Sequence, residues 1–310
     1  MISEKVLGAY AAVNSLPPSE QAAWYRKAAL EWNIKTFEVP ILPGQPMAPE
    51  LVEVFCEVGA SLVVTMVAAW AAKGQADPTY GLSSSVERAR GHALLDAQSV
   101  LQQCFDLSEL GVGVRALAVH TGQRTGSTIE QAISLQRSLR ELNEVAGSAL
   151  PRGELTVEVA DSLPADHPTP FPAAKKAALD VDALIQVLGA VNGGLESKTP
   201  VSVMLNWGRM LINGDRPLDV VDRVLSSDTP LCGVILSGAG ASPNGFVDSH
   251  NSHLDPDSGF TIEDARQCAA VLSASSQSSF LGTKCSIRKG DGEVSVEEVL
   301  AAQVEVLKVL

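Results

Sequence analysis

The sequence predicts an α/β protein folded as a single (β/α)8 TIM barrel spanning residues 1–310. Three observations predict it. Eight short apolar runs alternate with eight amphipathic stretches, the rhythm of strand–helix–strand units. The runs are rich in Val, Ile and Leu without strict alternation, as strands covered on both faces require. A length of 310 residues suits one such barrel, and no internal repeat, linker or low-complexity tract divides the chain. An open dinucleotide-binding sheet is disfavoured, because no Gly-x-Gly-x-x-Gly turn follows the first run.

The expected strands are residues 6–12, 36–42, 61–69, 113–120, 155–161, 201–206, 232–237 and 280–287. Each is followed by helix signals. Pro17-Pro18-Ser19-Glu20 opens a helix over 21–32, with proline in the first turn and serine as cap. Residues 48–58 place Leu51, Val54, Phe55 and Val58 at helical spacing, and Gly59 stops them. Residues 84–110 form a long helix. Ser127-Thr128-Ile129-Glu130 reads as a capping box before a helix over 132–145. Residues 181–191 are apolar at 3.6 spacing and end in Asn192-Gly193-Gly194. Arg216-Pro217 opens 218–225, Thr261-Ile262-Glu263-Asp264 caps 265–272, and 295–310 closes the chain.

Most runs end in a residue fit for chemistry. Tyr10, Glu38, Thr65, His120, Glu158 with Asp161, Asn206, Ser237 and Lys284 stand at or near their C-terminal ends. In a parallel barrel those ends meet at one rim, where loops carry function. Two connections there are long: 161–176, with four prolines and His167, and 238–259, with Asp248, His250, His253 and Asp255. The loop 70–83 is a third rim element.

Composition narrows the partners. A formal charge of −13 with no basic run argues against nucleic acid and anionic membranes; the arginines of 115–124 and 137–140 are diluted by polar residues. The longest apolar segment, 61–72, is shorter than the roughly 20 residues that span a bilayer. Five scattered cysteines, none at zinc-ligand spacing, read as free and mostly buried thiols in a reducing compartment. The N-terminus shows no secretory pattern, so the expectation is a soluble cytoplasmic protein.

Each rim residue has a functional and a structural reading. Glu158, in Leu-Thr-Val-Glu-Val-Ala-Asp, needs a partner or a cavity, and is a proton-transfer group, a metal ligand or half of an ion pair. Asp161 turns to the same rim. His120 orients a hydroxyl, shuttles a proton, or is a satisfied histidine at the barrel top. Glu38 accepts substrate hydroxyls or braces Arg209 or Lys284. Asn206-Trp207-Gly208-Arg209 suits a polyol, carboxylate or phosphate, or packs a loop. Lys284 is an electrophile, a Schiff-base amine or the counter-charge of Glu158. Asp248, His250, His253 and Asp255 form a ligand-like cluster or an acidic loop, with His250 folding over the rim.

At these residues the chain resembles the xylose-isomerase-like barrels, a superfamily of sugar isomerases, sugar epimerases and apurinic endonucleases. Thr-Phe-Glu-Val-Pro at 36–40 resembles its second strand, Ala-Val-His-Thr-Gly at 118–122 its fourth, Thr-Val-Glu-Val at 156–159 its fifth, and Asp248-Ser249-His250 its substrate-covering loop. Leu-Gly-Ala-Tyr at 7–10, Asn-Trp-Gly-Arg at 206–209 and Asp248-Ser249-His250 are similar to an uncharacterised bacterial family within that fold. The superfamily's metal is held by Glu, Asp, His and Glu from strands five to eight. Glu158 matches the first, whereas Asn206, Ser237 and Lys284 stand near the other three. An ammonium ~4 Å from a divalent ion costs about 8 kcal/mol at an effective dielectric of ~20, so Lys284 is expected to replace the metal's charge.

The resemblance thus implies a sugar or polyol isomerase or epimerase, with lyase chemistry through Lys284 a further option. Proton transfer next to a carbonyl would fall to Glu158, with Lys284 and His120 stabilising the oxyanion. Substrate would be held by Tyr10, Glu38, Asp161, Asn206, Trp207, Arg209, Ser237, Asp248 and His250. The alternative is a barrel that binds a sugar or sugar acid without turnover. No cofactor is expected; the fallback is a divalent metal on Glu158, Asp248 and His250. The partner is a small carbohydrate or sugar acid, and a homodimer is the assembly such barrels commonly adopt.

Overall fold

Strands β1 (Ile2–Leu7), β2 (Thr36–Pro40), β3 (Ser61–Thr65), β4 (Gly113–Val119), β5 (Glu154–Glu158), β6 (Ser202–Asn206) and β7 (Leu231–Leu236) pair in parallel, each with the next. An antiparallel hairpin, β8 (Gly238–Ser242) and β9 (Gly245–Asn251), precedes the last barrel strand, β10 (Ser279–Thr283). β10 pairs with β7 on one side and β1 on the other, Leu7 opposite Thr283, and closes one eight-stranded barrel. The structure is a computed structural model that describes residues 2–122, 126–168, 173–194, 199–287 and 294–309. Arg124, Pro170, Pro172 and Leu310, which figure in the sequence-based expectations, lie outside the described residues.

Helices α1 (Tyr10–Val13), α2 (Pro18–Glu31), α3 (Pro49–Val58), α4 (Val67–Ala76), α5 (Glu87–Glu109), α6 (Thr128–Ala149), α7 (Val181–Asn192), α8 (Trp207–Ile212), α9 (Pro217–Leu225), α10 (Ile262–Ala274) and α11 (Val296–Lys308) fill the connections. Proline opens α2, α3 and α9, where a missing N–H removes no helical hydrogen bond. Ser127–Glu130 and Thr261–Asp264 form capping boxes on α6 and α10. Gly59 ends α3 at φ +63°, a left-handed conformation in which a Cβ would be strained. Among the described residues, no helix is long and apolar enough to cross a membrane.

Several boundaries differ from the sequence reading: run 61–69, for one, is β3 followed by the start of α4, which also takes up half of the loop expected over 70–83. Run 6–12 is the end of β1 plus a short helix. The strand begins earlier, where Glu4 and Lys5 hide it; that end is solvent-facing, and Glu4 meets Arg115 at 3.2 Å. Ser19 lies inside α2 instead of capping it. The long connection 238–259 contains the β8–β9 hairpin.

Side-chain alternation sorts the strands into two apolar layers. Leu7, Phe37, Leu62, Leu117, Val157, Leu205 and Leu281 face the helices. Val6, Val63, Ala116, Ala118, Met204, Cys232, Ile235 and Phe280 fill the barrel. Stepping onward by two from that inner layer gives Thr65, His120, Asn206, Ser237 and, after Gly282, Lys284. The same inward step takes Thr36 to Glu38 and Thr156 to Glu158. The polar rim is therefore the continuation of the barrel's inner face, which explains how a core this apolar ends in charge. Four cysteines are buried and Cys56 is exposed, all as free thiols.

Candidate active site

Glu38, 0% exposed inside β2, meets Lys284 immediately after β10. The Lys284 Nζ lies 2.9 Å from Glu38 Oε1 and 3.9 Å from Glu158 Oε1. Of the two pairings the sequence reading offered, Glu38 bracing Lys284 is the closer, and Glu158, the expected counter-charge, stands farther off. β10 adjoins β1, one strand from β2, while β5 lies across the barrel. Backbone bonds fix the lysine: its N–H donates to the Leu236 carbonyl (3.0 Å), and the Gly8 N–H donates to the Thr283 carbonyl (2.7 Å). Gly8 is a spacing requirement, because a Cβ there would stand 2.9 Å from both Lys284 Cβ and the Thr283 oxygen. The Tyr10 hydroxyl donates to Glu38 Oε1 (3.3 Å), and its ring lies 5.7 Å from the ammonium.

Glu158 ends β5 with three neighbours. His120 Nε2 lies 3.0 Å from Oε2, and Asn206 Nδ2 donates to Oε1 at 3.0 Å. Asn206 also caps α8 by accepting from the Arg209 N–H, so one amide serves helix and carboxylate. The His120 ring stacks on Trp70 at 5.0 Å and 13° between planes, while its buried Nδ1 has no hydrogen-bond partner. Burial opposes ionisation of Glu158, but Lys284, His120 and Asn206 outweigh it and hold the carboxyl well below the usual range. At Glu38 burial prevails over Lys284, reinforced by the Glu158 charge, and its proton affinity is raised. Burial works against the Lys284 ammonium too, yet Glu38, Tyr10 and Glu158 raise its pKa. Burial, then Glu38, raises the Tyr10 phenol.

A second network adjoins the first through Arg209. Its guanidinium contacts Asp161 at 3.0 Å and Asp248 of β9 at 2.6 Å. Lys175 contacts Asp248 at 2.7 Å. Burial opposes the Asp248 charge, but Arg209, His250 and Lys175 together pull its pKa far down. At Asp161 burial wins over Arg209 and the pKa rises. His250, in the left-handed region at φ 49°, sets Nδ1 2.6 Å from Ser237 Oγ and Nε2 3.3 Å from Asp248. A neutral ring protonated at Nε2 satisfies both contacts. Burial, with Lys284, Arg209 and Lys175 nearby, pushes the His250 pKa down to about 3 against the pull of Asp248.

Tyr10, Glu38, His120, Glu158, Asn206 and Lys284 therefore form one constellation, and Asp161, Arg209, Ser237, Asp248 and His250 another beside it. Trp207 stays apart: its indole packs on Phe260 and donates to the Gly259 carbonyl (3.3 Å). His253 faces Glu305 at 3.5 Å, away from Asp248. Glu158 sits in one network and Asp248 with His250 in the other. Among the described residues, no group of three His, Cys, Asp or Glu side chains is arranged to hold a metal ion. Sequence reasoning missed Trp70 and Lys175, although both lie in connections marked as rim elements.

Residues 6–299 match the family described as "Domain of unknown function (DUF4862)". The chain belongs to that family. No curated protein sequence matches it. Solved structures similar to this DUF4862 chain include 3-keto-D-glucoside 4-epimerase from E. coli (12% identity, 99% of this chain and 100% of that one, TM-score 0.63). An AP endonuclease, family 2, from Brucella melitensis is also similar (15%, 96% of each chain, TM-score 0.66). So is a D-psicose 3-epimerase (9%, 98% of this chain and 97% of that one, TM-score 0.64). At such identities the likeness is one of fold: a closed eight-stranded parallel barrel ringed by helices.

Proposed function

We propose that this DUF4862 protein is a sugar isomerase or epimerase that moves a proton on a carbon next to a carbonyl. The observation that carries the reading is the Lys284 ammonium set between two buried carboxylates, 2.9 and 3.9 Å away, at the end of the barrel where such enzymes react. Their proton affinities are pushed apart, Glu158 down and Glu38 up, the pattern that divides base from acid. The ionised Glu158 takes the proton from carbon; Glu38, the readier to be protonated, returns one. Lys284 donates to the oxygen that becomes negative, with His120 as second donor. When that oxygen engages Lys284, the attraction holding Glu158 ionised weakens and its basicity rises. Arg209, Asn206, Asp161 and the His250 hairpin would hold hydroxyls or a carboxylate. The epimerase structures that share the fold support this class of substrate.

The divalent metal that the resemblance to xylose-isomerase-like barrels implies does not fit this donor set. Lys284 holds a positive charge 3.9 Å from Glu158, the carboxylate a metal would need, and no step here passes through a metal. The test is a carbohydrate panel in deuterated water. Deuterium should enter at carbon with wild-type protein, and Glu158→Gln should lower the rate at least 10³-fold with an unchanged circular dichroism spectrum. Binding without exchange by any sugar would instead establish a receptor.

A further inference from the structure

A cleft of about 180 Å³ opens beside the constellation, between the segment following β2 and helices α1, α2 and α3. Tyr10 belongs to both places: its ring lines the cleft and its hydroxyl donates to Glu38 at 3.3 Å. Pro40, Leu42 and Met47 give the wall apolar surface, and Asn14 and Gln45 add amides. None of the lining side chains is charged, although the chain carries −13 and the neighbouring cluster is built of ions. A charged substituent would enter there unpaired, so the wall selects a neutral group. The volume sets its size. A cavity of about 150 Å³ holds benzene, so this one admits a single six-membered ring with little to spare.

We propose that the cleft is a subsite for one neutral ring joined to the reacting sugar, so that the substrate is a glycoside and not a free monosaccharide. The inference rests on the sugar reading above and adds the aglycone side to it. Tyr10 is the hinge of the arrangement: one end polarised by Glu38, the other a platform for the ring. An aryl aglycone and a second neutral pyranose share the required shape and charge.

The test titrates free sugars, methyl glycosides, phenyl glycosides and the matching β-1,4 disaccharides of glucose, galactose, mannose and xylose into the full chain by calorimetry. Phenyl or glycosyl members should bind at least tenfold tighter than the methyl member of the same sugar; which of the two leads identifies the ring. Ala48→Trp, filling the cleft from the start of α3, should cut that ratio to below about twofold. Leu42→Trp, entering from another wall, guards against a local folding fault in the first variant. Equal binding of ring-bearing and methyl members, or a preference that survives both variants, overturns the subsite and leaves the sugar reading standing. No binding by any member of the panel removes both.

Discussion

At Lys284 one side chain balances two carboxylates, and removing it shows what the balance is worth. Lys284→Met keeps the length and deletes the charge, leaving Glu38 and Glu158 buried with like charge. A broken buried pair costs about 3–5 kcal/mol, so the urea midpoint at pH 7 should fall accordingly. In the variant both carboxyls prefer to be protonated in the folded state. Their contribution is thus present at low pH and lost as pH rises, and part of the deficit should vanish near pH 5. An unchanged midpoint at pH 7 would show that the ammonium does not neutralise this pair. His250 carries the opposite sign. Its folded pKa, about 3, lies below the ordinary value of 6.5, so the stability it contributes is complete above 6.5 and drains away as pH falls towards 3. His250→Gln should flatten that limb of the Tm-versus-pH curve. Superimposable curves for variant and wild type would contradict it.

Among the elements, the β8–β9 hairpin is the one the sequence concealed. Its first strand reads Gly-Ala-Gly-Ala-Ser, which carries neither bulk nor alternation, so only the length of the 238–259 connection and its Asp-Ser-His stretch marked the place. The hairpin binds back to the mouth through Asp248, which engages Arg209 at 2.6 Å and Lys175 at 2.7 Å, and through Ser286, whose N–H donates to the His250 carbonyl at 3.0 Å. Asp248→Asn keeps the shape and removes the charge from two contacts that are largely out of water. Chymotrypsin, cutting after Phe246, and thermolysin, cutting before it, should then cleave within 238–251 at least tenfold faster, while the barrel's own unfolding transition moves much less. Cleavage at the wild-type rate would show that the ion pairs do not hold the hairpin down. The capping boxes of α6 and α10 were legible because each needs only its own four residues; the hairpin's hold depends on partners far along the chain, which no local pattern records.

Across the whole molecule, circular closure brings separate strand ends to one mouth, and this much could be read in advance: five of the rim residues singled out by their positions, Tyr10, Glu38, His120, Glu158 and Asn206, gather with Lys284. What could not be read was which of the pairings open to Lys284 is the closer. Lys284 engages Glu38 first because β10 lies next to β1 and because stagger between strands sets height within the barrel, neither of which is written in a run of apolar residues. The seam between β10 and β1 is consequently where fold and site are tied most closely. Gly282 stands opposite Val6 there, two residues before Lys284 on the same inward face. A Cβ at Gly282 would come within 2.7 Å of Ile235 Cδ1 and 3.0 Å of the Val6 oxygen, so a larger side chain must push the two strands apart. Gly282→Val should cost about 1–3 kcal/mol in urea unfolding, as overpacking of a filled core does. It should also shift the NMR signals of the His120 ring, across the barrel, because Lys284 moves with its strand and Glu158 loses a neighbour. A variant with the wild-type midpoint and an unmoved His120 would mean that the seam is not packed in this register, and the grouping of Glu38, Glu158 and Lys284 would lose its physical basis.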